Sequence, residues 1–370
     1  TGMFEWLATL IAKAVRGNAL LIFMLFLIIT AVISSVLDNV TTVILIAPIT
    51  ILVCQVLELP AIPFLVFEAL FSNIGGTATL VGDPPNVIIG SQAKLSFNEF
   101  IMHLTPVIVI VMIISLAVVY LWFGRKFKVR QSAREQIMKT NPSLAIIDRN
   151  NMIKGLCIFA LVLAGFFLGR VLDIEPGIVA LAGGMLMALV CRVEIHRVLG
   201  KVEWNTIMFF VGLFILIGSL EVNHVFEKMG QGMLWLTNGN LLMTVIVLLW
   251  FSAIASAIVD NIPLVIAMIP LIKSIIPDFA HNMGLDVASH QAQILISDPL
   301  YWSLALGACL GGNGTMVGAS ANVVICQIAK RNNYNITFMG FTKLGMPMMV
   351  LSLVICTCYL WLRYFVFNHV

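Results

Sequence analysis

Apolar runs close to bilayer length recur along the whole chain and restrict its fold more than any other feature. Examples are residues 106–123, 155–172 and 344–366, and about 20 apolar residues in a helix cross the hydrocarbon core of a membrane. Only 11% of the 370 residues are charged, whereas a soluble domain carries about 25%. The sequence therefore predicts an all-α polytopic membrane protein, and it excludes disordered chains, disulfide-rich secreted scaffolds and almost all water-soluble enzymes.

Charge and cysteine content narrow the possible partners. The formal net charge is only +3, and the basic residues lie between the apolar runs instead of on one face, so we expect no nucleic-acid partner. The seven cysteines lie mostly inside apolar runs without metal-ligand spacing. We therefore expect them to pack between helices, and we expect no metal or cofactor. Most Lys and Arg residues fall in two segments, 125–154 and 192–201, which the positive-inside rule places on the cytosolic side.

Two long apolar stretches are each divided by a short polar patch. The first patch contains Asp38-Asn39 and the second contains Asp260-Asn261. The apolar arms on each side of the first patch are short for a full crossing, which favours a re-entrant hairpin that dips into the membrane. The alternative is two complete spanning helices joined by a loop.

Two other apolar stretches are interrupted by glycine, threonine and proline. Residues 64–90 contain Gly-Gly-Thr-Ala-Thr at 75–79 and Gly-Asp-Pro-Pro-Asn at 82–86, and residues 300–329 contain Gly-Gly-Asn-Gly-Thr at 311–315. Proline and glycine disfavour an unbroken helix. We therefore expect discontinuous helices, whose freed backbone groups line a polar cavity instead of facing lipid.

These features recur as an internal repeat. At an offset of 222 residues Asp38-Asn39 matches Asp260-Asn261, and at an offset of 236 Asn86 matches Asn322. Five predicted crossings separate the two Asp-Asn patches, and an odd number inverts the second copy. Inverted repeats that each carry a hairpin and a broken helix are typical of secondary transporters with a site at mid-membrane.

The repeat divides the chain into three parts. We expect a first repeat over 1–123, a basic cytosolic loop over 124–154 and a second, inverted repeat over 155–370. The apolar run 204–220 precedes the second hairpin and has no partner before the first one. We therefore expect the first repeat to lack at least one spanning helix of a longer protein.

Carboxylates at membrane depth are the residues most suggestive of chemistry. Each ionised carboxylate there costs about 2.5–3.5 kcal/mol on insertion scales. Matched Asp38 and Asp260 therefore predict proton or cation binding, and the alternative is a purely structural helix cap. Asp83 has no acidic counterpart, since Ala319 occupies the matching position, and it is our candidate for proton or sodium coupling.

The predicted ion-binding residues all lie at a hairpin tip or a helix break. They are Asp38, Asn39, Thr41, Thr42, Gly75, Gly76, Thr77, Asp83, Pro84, Pro85, Asn86, Asp260, Asn261, Gly311, Gly312, Asn313, Gly314, Thr315, Ser320 and Asn322.

Three motifs carry a resemblance to a known family. Leu-Asp-Asn-Val-Thr-Thr at 37–42, Gly-Asp-Pro-Pro-Asn-Val-Ile-Ile at 82–89 and Gly-Gly-Asn-Gly-Thr-Met-Val-Gly at 311–318 resemble the ion transporter superfamily. That superfamily includes arsenite-efflux pumps and sodium/proton antiporters, and the likeness is strongest to its melanosomal P-protein (pink-eyed dilution) branch. The resemblance implies an elevator-type carrier with a scaffold domain and a transport domain. For P-like members it also implies anion or proton-linked transport that sets organelle pH.

The function predicted from residues and resemblance together is secondary active transport. We expect alternating access for a small ion, either an anion such as chloride or sodium exchanged for protons, with a proton or sodium as coupling ion. An anion channel on the same fold and an organic-anion or arsenite carrier are the alternatives. We expect a homodimer embedded in the lipid bilayer, in a melanosome or other acidic organelle of a eukaryote and otherwise in the plasma membrane.

An enzyme is the competing class of membrane protein. Intramembrane aspartyl proteases carry one of their two aspartates in Gly-x-Gly-Asp, whereas Leu80-Val81-Gly82 precedes Asp83 here. A protease would have no need for paired asparagines and paired helix breaks. We therefore predict a non-enzyme.

Overall fold

A computed structural model describes residues 1–124, 141–172, 174–200 and 204–367, together with positions 127, 129, 131, 138 and 202. Over those residues every regular element is helical, which confirms the predicted all-α class. Residues 125, 126, 128, 130, 132–137, 139 and 140 of the predicted basic loop, and residue 201 of the second basic segment, lie outside the described part.

Seventeen helices are labelled here, and short helical turns link some of them. Their bounds are α1 Met3–Ala14, α2 Ala19–Ser34, α3 Asn39–Val56, α4 Ala61–Gly76, α5 Pro84–Ala93, α6 Phe97–His103, α7 Thr105–Phe123, α8 Arg149–Leu172, α9 Pro176–Val190, α10 Ile195–Leu199, α11 Trp204–Val222, α12 Val225–Leu236, α13 Leu241–Ile258, α14 Asn261–Asn282, α15 Asp298–Gly311, α16 Ser320–Arg331 and α17 Phe338–Trp361.

Seven described helical segments are long and apolar enough to cross a membrane, and an eighth crossing arises if the bent pair α11–α12 counts as one. α8 begins at Arg149, before the apolar run at 155, because Asp148 accepts the backbone N–H of Asn151 and caps the helix. α17 likewise begins at Phe338 instead of 344, because the Thr337 hydroxyl accepts the Gly340 N–H.

Each predicted hairpin corresponds to a pair of helices joined at a polar tip. Because α3, α13 and α14 are each long and apolar enough to cross a membrane, the re-entrant course stays a prediction. α2 and α3 are joined at residues 35–38, and α13 and α14 at residues 259–260. The second helix of each pair begins directly after an aspartate, Asp38 or Asp260, whose carboxylate accepts backbone N–H groups of the first turn. The Asp-Asn patches are therefore helix starts at the tips.

Both predicted helix breaks are present. α4 ends at Gly76 and α5 begins at Pro84, while α15 ends at Gly311 and α16 begins at Ser320. Proline fits the first helical position of α5, where no intrahelical N–H bond is made. Each broken helix thus consists of two half-helices separated by seven or eight residues, of which Gly312–Gly314 form a short 3-10 turn.

The two halves of the chain interlock through their second half-helices. α16, from the second half, packs against α3 and α4, while α5, from the first half, packs against α14 and α15. Ile325 of α16 accordingly lies in the buried cluster formed mainly by α1–α4, and Ile89 of α5 lies in the cluster formed mainly by the second half. This exchange brings both helix breaks to the middle of the protein.

Candidate functional site at the helix breaks

One serine hydrogen bond occurs in both halves at equivalent positions. Ser34 donates a hydrogen bond to the Ser72 carbonyl at 2.7 Å, and Ser256 donates one to the Ala308 carbonyl at 2.6 Å. These pairs correspond at the offsets of 222 and 236 found in the sequence. The repeat therefore extends from sequence to tertiary contacts.

Glycines let the half-helices approach the hairpins at backbone distance. A Cβ atom added at Gly75 would lie 2.1 Å from the Ala31 carbonyl oxygen, and one added at Gly311 would lie 2.5 Å from that of Ala253. Ala31 and Ala253 also correspond at the offset of 222. Each break is thus held against its own hairpin tip, and no larger residue fits at these two positions.

A buried asparagine, Asn73, joins the two breaks. Its amide oxygen accepts from Asn39 Nδ2 at 3.1 Å, and its own Nδ2 donates to Asn313 Oδ1 at 2.9 Å and to Asn322 Oδ1 at 3.0 Å. Asn73, Asn313 and Asn322 are fully buried. The first hairpin, the first broken helix and the second broken helix therefore meet at one side chain.

Cys309 occupies the position equivalent to Asn73 in the second half. Its Sγ lies 3.5 Å from Asn86 Oδ1, and this pair corresponds to Asn73–Asn322 at the offset of 236. Both contacts join α4 or α15 to the start of the half-helix from the other half. Asn86 and Asn322 are among the predicted ion-binding residues, whereas Asn73 and Cys309 are not.

Two asparagines hold the non-helical segments in place. Asn86 Nδ2 donates to the carbonyls of Thr77 and Thr79, at 3.2 and 2.9 Å. Asn322 Nδ2 donates to the carbonyls of Gly312 and Thr315, at 2.8 and 2.9 Å. Buried carbonyls released by the helix breaks are thereby satisfied.

Asp38 and Asp260 cap helices and make different additional contacts. Asp38 accepts the Thr41 backbone N–H at 2.9 Å and its hydroxyl at 2.8 Å. Asp260 accepts the Ile262 N–H at 3.2 Å and the Ser320 hydroxyl at 2.8 Å. The contact with Ser320 ties the second hairpin tip to the start of α16.

Asp83 is the predicted acid with the most unusual surroundings. It precedes α5 but makes no capping hydrogen bond to that helix, and it is 1% exposed. Asn261 Nδ2 lies 3.5 Å from its Oδ1, and its Oδ2 has no partner among the described residues. The side chain is therefore placed at the second hairpin tip, without the bonds of a structural cap.

The remaining predicted residues line the same region. The Thr315 hydroxyl donates to the Ala257 carbonyl at 2.5 Å, and the Thr77 hydroxyl donates to the Asn73 carbonyl at 2.7 Å. The Thr42 hydroxyl is buried and has no partner among the described residues. Gly76 and Gly82 approach each other through backbone atoms, as do Gly312 and Gly318.

Helix starts and helix ends, which carry opposite partial charges, both lie near this network. The starts of α3, α5, α14 and α16 and the ends of α2, α4, α13 and α15 lie at the tips and breaks. Partial positive charge at a helix start favours an anion, and partial negative charge at a helix end favours a cation. Partial charges suited to an anion and to a cation are therefore both present at the tips and breaks.

A separate polar cavity of about 250 Å³ lies at another end of the bundle, where Asp298, Arg363 and Tyr364 contribute to its walls. The asparagine network does not border it. Among the described residues, no group of three or more His, Cys, Asp or Glu side chains is arranged to hold a metal ion.

Asn73 and Cys309 differ in how far the sequence alone reveals them. Asn73 is a lone amide in an apolar stretch of a membrane chain, two residues before Gly75. Polar groups at membrane depth are costly and commonly functional. Cys309 is apolar enough to pass as a packing residue, so only its repeat position identifies it.

Comparisons with known proteins identify a family and several relatives of this chain. The model of the CitMHS family, described as "Citrate transporter", matches residues 1–307. The chain is 42% identical over 371 residues to a 46 kDa membrane protein of Mycobacterium leprae, covering 100% of this chain and 83% of that protein. An uncharacterized transporter of Mycobacterium bovis is 42% identical over 369 residues, with the same coverage.

The predicted likeness to the P protein is also found. The human P protein is 30% identical over 438 residues, which covers 97% of this chain and 51% of that protein. The chain thus spans about half the length of the P protein and is more similar to the mycobacterial proteins. The predicted superfamily is confirmed, and the apolar helices agree with an integral membrane protein. The chain belongs to the CitMHS citrate transporter family of the ion transporter superfamily.

Proposed function

We propose that this protein is a secondary active carrier that moves a small anion, together with a coupling proton or sodium ion, through the region of the helix breaks. The observation that carries the proposal is the network in which Asn73 joins Asn39, Asn313 and Asn322. Amide groups present donors and acceptors without a fixed charge. A network made of amides at broken helices suits an ion that must bind and leave again.

The acids at this region bear on the kind of substrate. Asp38, Asp83 and Asp260 would repel an anion unless a proton or cation accompanies it. Four helix starts supply partial positive charge for the anion itself. This combination favours cotransport of an anion with a cation over the movement of an anion alone.

The family description supplies a specific anion to test first. Citrate is the substrate named for the matching family, and chloride is the small anion that we expected from the sequence. Alternating access, an elevator movement, a homodimer and control of organelle pH remain predictions that follow from the resemblance. The similarity to proteins named as transporters favours the predicted non-enzyme.

The test is uptake into proteoliposomes that contain the purified chain. Radiolabelled citrate and chloride are offered separately, with imposed proton or sodium gradients, and empty liposomes serve as the control. We expect accumulation of one anion above its equilibrium level when a coupling gradient is present. Downhill flux that never exceeds equilibrium, at rates far above carrier turnover, would instead support an anion channel on this fold.

A further inference from the structure

Glu68 is a buried acid that the site described above does not use. It lies on α4, five residues before Asn73, and only 1% of its surface is exposed. Its Oε1 accepts a hydrogen bond from the Thr50 hydroxyl of α3. The flanking residues Phe67 and Ala69 are fully buried. The carboxyl group is therefore enclosed between two helices at the side of the first hairpin, and the buried thiol of Cys54 on α3 is the other titratable group that interacts with it.

The second oxygen of this carboxyl group is unsatisfied. Glu68 Oε2 is buried and has no hydrogen-bond partner in the part of the chain that the structure describes. A buried carboxylate is strongly destabilised unless it is paired and hydrogen-bonded, and it commonly takes up a proton instead. A neutral carboxylic acid that shares one hydrogen bond with a threonine hydroxyl fits this environment.

The repeat shows that the fold does not need an acid at this position. Leu304 matches Glu68 at the offset of 236, and Ile272 matches Thr50 at the offset of 222. Leu304 and Ile272 are both fully buried in one hydrophobic cluster. Ala69-Leu70 and Ala305-Leu306 match on the following positions, which supports the register. The first half therefore carries a costly polar pair where the second half packs hydrocarbon.

The Thr50–Glu68 pair lies where protonation of the Glu68 carboxyl would affect the helix breaks. Asn39–Asn73 and Thr50–Glu68 both link α3 to α4. The first link is at the hairpin tip, and the second lies further along the same two helices. A negative charge on Glu68 would disfavour close packing of α3 on α4, and it would thereby weaken the contact that holds Asn39 against Asn73.

We propose that Glu68 is a proton-binding site that is occupied in the conformation described here. Release of this proton to water accompanies separation of α3 from α4 and couples proton movement to transport. This inference rests on the proposed carrier function for its coupling role and names the proton as coupling ion. Because the second half has Leu304 in place of an acid, one such proton is bound per chain.

The first test is spectroscopic and needs no transport. Infrared difference spectra of the full chain at neutral pH, with Glu68→Gln compared to wild type, should show loss of one C=O stretching band of a protonated carboxylic acid. Glu175→Gln removes an exposed carboxyl and should leave that band unchanged. Identical acid bands in wild type and Glu68→Gln would overturn the proposal.

The second test measures coupling. The membrane potential is clamped at zero, and the accumulation ratio of radiolabelled citrate is corrected for citrate's own protonation. One coupled proton then changes this ratio about tenfold per unit of pH gradient. Glu68→Gln should retain downhill citrate flux and lose this factor. The double variant Glu68→Leu/Thr50→Ile reproduces the residue pair of the second half and replaces Glu68→Gln if that variant does not fold. It should also lose the tenfold response to the pH gradient.

The outcomes separate this inference from the proposed function. A wild type that moves neither citrate nor chloride refutes the carrier proposal, and the infrared band still decides whether Glu68 holds a proton. A wild type that accumulates citrate without any response to the proton gradient, or variants that keep the tenfold response, would refute Glu68 as the coupling site.

Discussion

Asn73 Nδ2 and Asn322 Oδ1 lie 3.0 Å apart, although the two residues are separated by 249 positions in the chain. This hydrogen bond connects the first broken helix to the second half-helix of the other one. It has an equivalent in the contact of Cys309 with Asn86. The two halves are therefore joined at their breaks by direct side-chain contacts.

Substitution of Asn73 by alanine should destabilise the protein and abolish transport. The change leaves Asn39 Nδ2, Asn313 Oδ1 and Asn322 Oδ1 without their shared partner, and each buried unsatisfied group costs about 1–3 kcal/mol. We expect a loss of at least about 2 kcal/mol, measured by thermal unfolding in detergent. Asn98→Ala removes an amide that bonds the Phe167 carbonyl near the surface, and it should have little effect on stability or flux.

Substitution of Gly75 or Gly311 by alanine should prevent correct packing of the corresponding half-helix. The new Cβ atoms would lie 2.1 and 2.5 Å from backbone oxygens of the hairpins, and backbone cannot move aside as a flexible side chain does. We expect overpacking to cost about 3 kcal/mol or more, seen as reduced folded yield in size-exclusion chromatography. Gly184→Ala adds a methyl group with no heavy atom within 4 Å and should leave the yield unchanged.

Neutralising the three acids should damage coupling more than folding. Asparagine can cap a helix as aspartate does, so Asp38→Asn and Asp260→Asn should fold and yet abolish or uncouple transport. Asp83 makes no capping bond, so Asp83→Asn should fold normally and shift the pH dependence of flux. The measurement is proteoliposome flux from pH 5 to 8, with folded yield measured in parallel. If all three variants keep the flux and pH profile of wild type, these three acids are structural, and the anion-channel alternative gains support only if Glu68→Gln also leaves citrate accumulation unchanged.

The sidedness of the loops tests the inverted topology that the sequence predicts. Single cysteines at Arg130 and Arg197 should react with a membrane-impermeant reagent only from the cytosolic side, because both segments are rich in Lys and Arg. A cysteine at Ala288, in the turn after α14, should react only from the opposite side. Exposed Cys157 and Cys358 are first replaced by serine. Labelling of Arg130→Cys and Arg197→Cys from opposite faces would refute the predicted odd number of crossings.

Much of the candidate site could be predicted from local sequence chemistry. The break after Gly76 follows from three glycines and two prolines within a dozen residues, because these residues disfavour helix continuation whatever surrounds them. Asp38 and Asp260 start helices for an equally local reason, since their carboxylates accept N–H groups only two or three residues away. Short stretches of sequence therefore determine the positions of the tips and breaks.

Other site residues depend on what surrounds them in space. Asn73, Cys309 and Glu68 are single residues in apolar stretches, and no neighbour in sequence reveals their partners. Asn73 becomes a junction only because α16 brings Asn322 to it, and Glu68 becomes an enclosed acid only because α3 covers it. Their importance comes from long-range packing, which a local sequence pattern does not reveal.

The sequence by itself determined where the two long apolar helices are broken, where the polar tips lie and that the same order of polar positions occurs twice. Only the tertiary structure decided that α5 packs against α14 and α15, and that α16 packs against α3 and α4. The physical reason is that lipid tails are as apolar as the helix surfaces, so a hydrophobic stretch does not specify which helix will cover it. That choice requires the backbone approach at Gly75 and Gly311 and the hydrogen bonds of Asn73, which exist only after both halves have come together.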